Sequence, residues 1–218
     1  MNTVKIVLTT TILTLFLSNC VKLDLIVNCK TVSSNRNIKE NKEAPDKSWS
    51  ITISNQKTSY IYTNHNTGTD LDLDTNCENV WAKISYEGNK SLYLCTYYRP
   101  PSDKGESLEQ LGISLNRVLC KKTNPNILVS GDFNLGHIDW NTPAVIPCKP
   151  DASLHQQLID ILNNHNLTQV VNKNTRNDTT LGLLCMTNSS FVNRVETLPP
   201  IGASDHDIVY SEISTASK

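Results

Sequence analysis

Three short polar segments hold the residues of this chain that are best suited to catalysis or ligand binding. The middle one, residues 131–134, reads Gly-Asp-Phe-Asn and follows an apolar run. Asp132 and Asn134 stand two residues apart, so an extended backbone would place both side chains on one side of the chain. A carboxylate in that position could take a proton from water, while the amide could hold a phosphate oxygen.

The two other segments are residues 96–101, which contain Tyr98, and residues 202–206, which end in Asp205 and His206. The Asp205 carboxylate suits a hard cation such as Mg²⁺, and the His206 imidazole suits a negatively charged oxygen. Taken one at a time, such segments are common in ordinary turns. Only the three segments together therefore indicate a functional site.

Each segment adjoins a run that predicts a β-strand. Alternating or apolar runs predict strands at residues 49–54, 59–63, 80–84, 91–98, 126–130, 180–186, 191–196 and 208–213. The strands at 80–84 and 91–98 are expected to form a hairpin.

Two helices interrupt these strands. The second covers residues 153–164, and Ser107 fits the N-cap of the first. Apolar residues of the first helix recur at three- and four-residue steps, which predicts one buried face formed by Leu108, Leu111, Leu115, Val118 and Leu119. Strands that alternate with helices predict a mixed α/β layered fold.

In this order and spacing, the three segments resemble the apurinic-type endonuclease domain of LINE-like (non-LTR) retrotransposons, within the endonuclease/exonuclease/phosphatase superfamily. The resemblance is carried by residues 92–101, 127–140, 167–178 and 198–209, and is firm over 77–213 and weaker back to 49. It implies an α/β sandwich of two packed mixed sheets with flanking helices. It also implies Mg²⁺-dependent phosphodiester hydrolysis, which in the family nicks DNA to expose a 3′-hydroxyl that primes reverse transcription.

The resemblance also implies a role for each candidate residue. Asp132 matches the base that activates the attacking water, and Asn134 matches the residue that holds the scissile phosphate. Tyr98 matches a tyrosine that contacts the same phosphate, His206 a histidine that stabilises the phosphorane-like transition state, and Asp205 a carboxylate near the metal. DNA is therefore the expected partner and Mg²⁺ the expected cofactor, and no protein partner is indicated.

Two departures from the family predict a weakened or inactive enzyme. The family begins with a strand bearing an Asn and a second strand bearing a Glu that ligates Mg²⁺; here these first strands are missing or replaced. The family's Leu-Asp-Leu, whose Asp orients the histidine, has Gly182 at its centre in this chain. Single catalytic groups contribute about 10²–10⁴-fold each. The alternative is a truncated, non-catalytic remnant with at most weak DNA binding.

Composition sets broad limits on the function. The chain is 38% hydrophobic and 19% charged, as in ordinary globular proteins. Its formal net charge of -1 is less basic than usual for a nucleic-acid binder, but an enzyme that touches DNA along one groove can be near neutral. The 7 cysteines are odd in number and form no C-x-x-C pair, which predicts reduced structural thiols.

The N-terminal region differs from the rest. Residues 1–30 form an apolar segment, 31–48 a polar linker, 49–214 the partial nuclease-like domain and 215–218 a tail. Residues 1–20 have the layout of a secretory signal, although the apolar run is shorter than the about 20 residues of a membrane span. The same run would also serve as a replacement core strand or helix. The family predicts a nuclear or cytoplasmic protein; a signal or anchor predicts a secreted or membrane-tethered one.

Overall fold

The computed structural model describes residues 3–9, 12–18, 21–28, 50–54, 72–73, 75–86, 90–200 and 204–214; up to residue 54, and at 84–86 and 90, it describes the backbone alone. The described elements are, in chain order, β1 (Thr3–Thr9), β2 (Ile12–Ser18), β3 (Val21–Asn28), β4 (Ser50–Ser54), β5 (Glu78–Tyr86), β6 (Lys90–Tyr98), α1 (Glu106–Lys121), β7 (Asn126–Asp132), β8 (Ile138–Asp139), β9 (Ala144–Val145), α2 (Ala152–Asn164), β10 (Thr168–Gln169), β11 (Gly182–Met186), β12 (Val192–Leu198) and β13 (Ile208–Ser214). The linker at 31–48 and the strand predicted at 59–63 lie outside the described residues.

Two larger sheets and one small hairpin contain all these strands. The six-stranded sheet has the order β10-β11-β7-β6-β5-β4, and the five-stranded sheet has the order β12-β13-β1-β2-β3. The predicted layered α/β sandwich is confirmed, and β5 and β6 form the predicted antiparallel hairpin. The prediction that both sheets are mixed is correct only for the six-stranded sheet, in which β6 and β7 run parallel. The strand pairs of the five-stranded sheet are all antiparallel, because β1–β2, β2–β3 and β12–β13 are consecutive strands that form hairpins and β13 runs back along β1.

Strand β6 shows how the two layers of core are made. Its side chains alternate between the two faces, as a strand requires, yet both faces are buried. On one face Tyr93, Cys95 and Tyr97 pack with the leucines of α1 and α2. On the other, Leu92 and Leu94 pack with side chains of the five-stranded sheet, among them Val209 and Ile213. The helices therefore cover one face of the six-stranded sheet, and the second sheet covers the other.

Helix α1 buries most of the predicted face, with two corrections. Leu108, Leu111, Leu115 and Val118 are buried, but Leu119 is 40% exposed because it lies at the margin of the apolar stripe. The predicted N-cap at Ser107 is wrong as well. The helix is capped at Gly105, whose φ of 113° suits glycine, and the Asp103 carboxylate accepts hydrogen bonds from the backbone N–H groups of Gly105 and Ser107.

The N-terminal strands belong to the five-stranded sheet. Strand β1 pairs antiparallel with β13, from Thr3 opposite Ser214 to Leu8 opposite Val209. Strand β2 then pairs with β1, and β3 with β2. The strand that follows Asp205 and His206 is thus held between β12 and the first strand of the chain. Within the described ranges, no helix is long and apolar enough to cross a membrane.

Candidate active site

One end of the six-stranded sheet brings the predicted residues together in a row. Tyr98 on β6 is the register partner of Asp132 on β7, and Gly182 on β11 is the partner of Asp132 from the other side. Glu78 on β5 lies opposite Tyr98 and extends the row by one strand. Residues paired in this way point to the same face. By alternation this is the face on which Leu94 and Leu128 meet the five-stranded sheet.

Gly131 sets the close approach of the two central strands. A Cβ atom at this position would lie 1.7 Å from the backbone carbonyl oxygen of Tyr97, far inside contact distance. Only glycine therefore allows β7 to run beside β6 here and to deliver Asp132 opposite Tyr98. The glycine of the Gly-Asp-Phe-Asn segment thus acts through packing, and the two polar residues remain available for chemistry.

Asp132 and Asn134 form a local hydrogen-bonded unit. The Asn134 backbone N–H donates to Asp132 Oδ1 at 3.3 Å, and its side-chain Nδ2 donates to Asp132 Oδ2 at 3.2 Å. Asn134 adopts a left-handed φ of 50°, a conformation that asparagine tolerates better than most residues. This turn bends the chain away from β7 immediately after Asp132, so the carboxylate stays at the end of the strand.

Arg99 holds that turn in place, a role that the sequence analysis did not identify. Its side chain is only 2% exposed, its Nη1 donates to the carbonyl of Asn134, and its own carbonyl accepts from Asn134 Nδ2 at 2.8 Å. Asp103 pairs with the Arg99 guanidinium at 3.1 Å while it caps α1. A buried arginine is costly without such a partner. The signal was present in residues 96–103, where an arginine follows Tyr98 and an aspartate follows two prolines.

Burial and neighbouring charges shift the pKa values of two residues in the row, Asp132 and Tyr98. Burial raises the pKa of the Asp132 carboxyl above its usual value, while His206, the Asn134 hydrogen bonds and Arg176 act in the opposite direction. A raised pKa makes the carboxylate a better proton acceptor. The pKa of the Tyr98 hydroxyl is also raised, by burial first and then by Asp132 and Glu78, so it remains a hydrogen-bond donor at neutral pH.

The third predicted segment approaches the row from the other sheet. His206 is 9% exposed and Asp205 is 61% exposed at its side chain, just before β13 begins. His206 Nε2 lies 3.8 Å from Asp205 Oδ1. The next residue, Asp207, donates its backbone N–H to the carbonyl of Thr175 at 2.8 Å, and the Thr175 hydroxyl accepts from the backbone N–H of Gly182, so this segment is linked to the row. The hydroxyl of Ser204 accepts from the His206 backbone N–H at 3.2 Å and so fixes the turn.

Arg176 is the second site residue that the sequence analysis did not identify. Its Nη2 lies 2.5 Å from Asp205 Oδ2, and its charge lowers the pKa of Asp132. The Arg176 side chain is 39% exposed, so it faces both the carboxylates and the solvent. It lies within residues 167–178, a segment that carries the family resemblance. A single arginine in a polar, Asn-rich stretch gave no local reason to select it.

Gly182 leaves open the position at which the family has its aspartate. A Cβ atom there would lie 3.4 Å from Thr175 Oγ1 and 3.6 Å from Thr175 Cβ, which is an ordinary contact. Thr175 is buried, and its hydroxyl accepts hydrogen bonds from the backbone N–H groups of Leu181 and Gly182. Space therefore does not exclude a side chain at 182. What the glycine removes is a carboxylate directly opposite Asp132.

The described residues do not form a complete Mg²⁺ site. Nowhere in those ranges do three or more His, Cys, Asp or Glu side chains converge as a metal ion would need. Asp205, the predicted metal ligand, already has the Arg176 guanidinium on one carboxylate oxygen. Glu40 and Glu43, which lie between β3 and β4 in the sequence, are outside the described residues.

Sequence comparison decides the family. The profile described as "Endonuclease-reverse transcriptase" matches residues 92–210, which is more than half of the chain and includes every predicted site residue. The chain belongs to this family. It is thereby a member of the endonuclease/exonuclease/phosphatase superfamily, as the three polar segments predicted. A comparison with curated proteins finds no match.

The likeness to one solved structure supports the fold. The endonuclease domain of TRAS1, a telomere-specific non-LTR retrotransposon, matches with a TM-score of 0.50 at 21% identity, over 65% of this chain and 64% of that domain. The chain thus spans less than two thirds of the TRAS1 domain. The human Nocturnin catalytic domain gives a TM-score of 0.42 at 14% identity, over 62% of this chain and 52% of that one. At these identities the likeness concerns the fold alone.

Proposed function

We propose that this chain is a DNA endonuclease domain of the retrotransposon type whose phosphodiester hydrolysis is weakened. The observation that carries the proposal is the row at the end of the six-stranded sheet. There Tyr98 and Asp132 are register partners, and Asn134 is hydrogen-bonded to the Asp132 carboxylate. In the family, residues that match these positions act on one scissile phosphate.

The chemistry follows from the state of each group. Asp132, with its raised pKa, takes a proton from the water that attacks phosphorus. The Tyr98 hydroxyl donates a hydrogen bond to a non-bridging phosphate oxygen. His206, which is nearly buried and acts electrostatically on Asp132, hydrogen-bonds the oxygens on which charge develops. Mg²⁺ is the cofactor that the family predicts, and the described residues supply only part of the ligands it would need.

Two features limit the expected rate. Gly182 deprives His206 of the carboxylate that orients it in the family, and the described residues include no group of three side chains that could hold a metal ion. Each loss is expected to cost about 10²–10⁴-fold, although such effects need not add. The same features favour the second candidate function, a non-catalytic remnant that retains weak DNA binding.

A plasmid-nicking assay separates the two functions. Full-length protein is incubated with supercoiled plasmid and Mg²⁺, beside an Asp132→Asn variant prepared in the same way. Slow nicking by the natural protein that disappears with Asp132→Asn supports the enzyme. Absence of nicking at micromolar protein over many hours refutes the enzyme and leaves the remnant. Equal nicking by both proteins would indicate a contaminating nuclease and would also count against the proposal.

For residues 1–30 we propose the role of a replacement core segment. The pairing of β1 with β13 supports this role, because it completes the sheet around the strand that follows His206. N-terminal sequencing of protein from eukaryotic cells tests it. An intact N-terminus is expected, whereas cleavage near residue 20 with glycosylation would identify a secretory signal and a secreted or membrane-tethered protein.

A further inference from the structure

Arg176 lies in a turn that several hydrogen bonds hold in place. The backbone groups of Arg176 and Thr179 exchange hydrogen bonds at 3.0 and 3.1 Å, and the Thr179 hydroxyl donates to the Arg176 carbonyl at 2.9 Å. Thr175, one residue earlier, is 1% exposed, and its carbonyl accepts from the Asp207 backbone N–H at 2.8 Å. The turn is therefore bound to β11 on one side and to the segment that carries Asp205 and His206 on the other.

The side chain of Arg176 carries positive charge into the site. Its guanidinium pairs with Asp205 Oδ2 at 2.5 Å, and its positive charge lowers the pKa of Asp132. A guanidinium has five donors in a planar fork, which matches the oxygens of a phosphate better than a single ammonium does. Since Asp205 occupies only part of the fork and the side chain is 39% exposed, further donors can reach a ligand from the solvent.

This pairing alters the role expected of Asp205. A carboxylate that neutralises an arginine has less negative charge to offer a divalent cation, which in proteins seeks several oxygen ligands. Among the described residues, no three His, Cys, Asp or Glu side chains lie close enough together to hold a metal ion. Arg176 thus brings to these carboxylates a positive charge that a phosphate can bind.

We propose that Arg176 is a phosphate-binding residue of this site, that Asp205 acts as its partner rather than as a metal ligand, and that the site binds a DNA phosphodiester without a divalent cation. The inference rests on the proposed function for the choice of DNA as ligand. It goes beyond that function by naming the residue that binds phosphate and by removing the metal from the binding step.

Fluorescence anisotropy with a fluorescein-labelled DNA duplex tests the proposal. The full-length protein is titrated in EDTA and, in parallel, in Mg²⁺, at several salt concentrations. We expect Kd values within about twofold of each other in the two buffers. Arg176→Ala should weaken binding about tenfold, as expected for a charged contact of about 1.4 kcal/mol. The slope of the logarithm of affinity against the logarithm of salt concentration should also fall by the amount expected for about one phosphate contact. Arg176→Lys keeps the charge without the fork and should fall between the two.

Arg194 provides the matched control. It is also a partly exposed arginine paired with a carboxylate, at 2.7 Å from Glu196. It differs in position, because it lies on β12 four residues before Leu198, the residue that pairs with Ile208 at the end of β13 nearest His206. Arg194→Ala should bind DNA within twofold of the natural protein. Circular dichroism melts verify that each variant folds, and Arg176→Lys remains informative if Arg176→Ala does not.

The outcomes separate this inference from the proposed function. Unchanged binding by Arg176→Ala, or binding that is at least tenfold weaker in EDTA than in Mg²⁺, overturns the inference even if the plasmid is nicked. Arg176-dependent binding with no nicking supports the inference and refutes the hydrolysis. Absence of DNA binding in both buffers overturns both.

Discussion

Restoring the family's aspartate at position 182 should set two carboxylates against each other. Gly182 is the register partner of Asp132, and directly opposed residues of antiparallel strands have Cβ atoms about 4.5–5.5 Å apart. The contacts to Thr175 leave room for the side chain. Two unit charges about 5 Å apart repel by about 3 kcal/mol at an effective dielectric constant of about 20. Arg176 and His206 offset part of this repulsion.

The variant pair Gly182→Asp and Gly182→Asn isolates that charge, because the two side chains have nearly the same shape. We expect Gly182→Asp to be the less stable of the two at pH 8 by at least about 1 kcal/mol, which is roughly 2–4 °C in Tm for a chain of this size. A pair of opposed carboxyls has raised pKa values in the folded state. In acid the two carboxyls retain a shared proton, which removes their repulsion, and the stability that this proton provides is lost as pH rises. The difference in stability between Gly182→Asp and Gly182→Asn should therefore shrink toward pH 4.

Differential scanning fluorimetry of both variants between pH 4 and pH 8 measures this difference. Equal Tm values for the two variants across the whole range would refute the reasoning. Such a result would mean that residue 182 does not face Asp132, or that Arg176 and His206 neutralise the added charge completely. The same two proteins can be used in the plasmid assay. Faster nicking by Gly182→Asp alone would show that the missing carboxylate limits the rate.

Three further predictions concern the same strands. Gly131→Ala should prevent folding or lower Tm by more than about 10 °C, since its Cβ would meet the Tyr97 carbonyl at 1.7 Å; a Tm near that of the natural protein contradicts the close approach. Asp132→Asn should raise Tm at neutral pH but not near pH 4, because the raised pKa of Asp132 gives stability in acid that is lost as pH rises; a constant difference across a pH series counts against it. Thr96→Val should raise the free energy of unfolding by about 1 kcal/mol, because the buried Thr96 hydroxyl has no hydrogen-bond partner among the described residues. Chemical denaturation measures this change, and a loss of stability would show that a buried water or another group satisfies the hydroxyl.

The strands and helices near the site could be predicted because their patterns are local. Strand β7 is a continuous apolar run between polar residues, and α2 repeats its leucines at helical spacing, so period and length suffice. The cap of α1 could not be predicted in the same way. Ser107 has the residue type of an N-cap, but the carboxylate of Asp103 reaches the same N–H groups from two positions before the cap, while the Ser107 hydroxyl lies 2.6 Å from that of Tyr97.

The site was only partly readable for a similar reason. Asp132, Asn134 and His206 stand in short segments with a family pattern, so their types and order identify them. Arg176 and Arg99 act through contacts with residues about 30 positions away, Asp205 and Asn134 respectively. Such contacts depend on which turns the fold brings together. Arg176 has no neighbour in the sequence that would distinguish it from a solvated surface residue, whereas Arg99 has its partner Asp103 nearby in the sequence.

The pairing of β1 with β13 has a consequence for the order in which the molecule forms. Thr3 meets Ser214, so the sheet that contains β1 cannot close until β13 has been synthesised. Loops of such length close slowly, and folding rates fall as contacts become more distant in sequence. Until then β1 and β2 present an open edge to other chains. Folding of this domain is therefore expected to finish only after β13 has been synthesised, with His206 brought to Asp132 in one of its last steps.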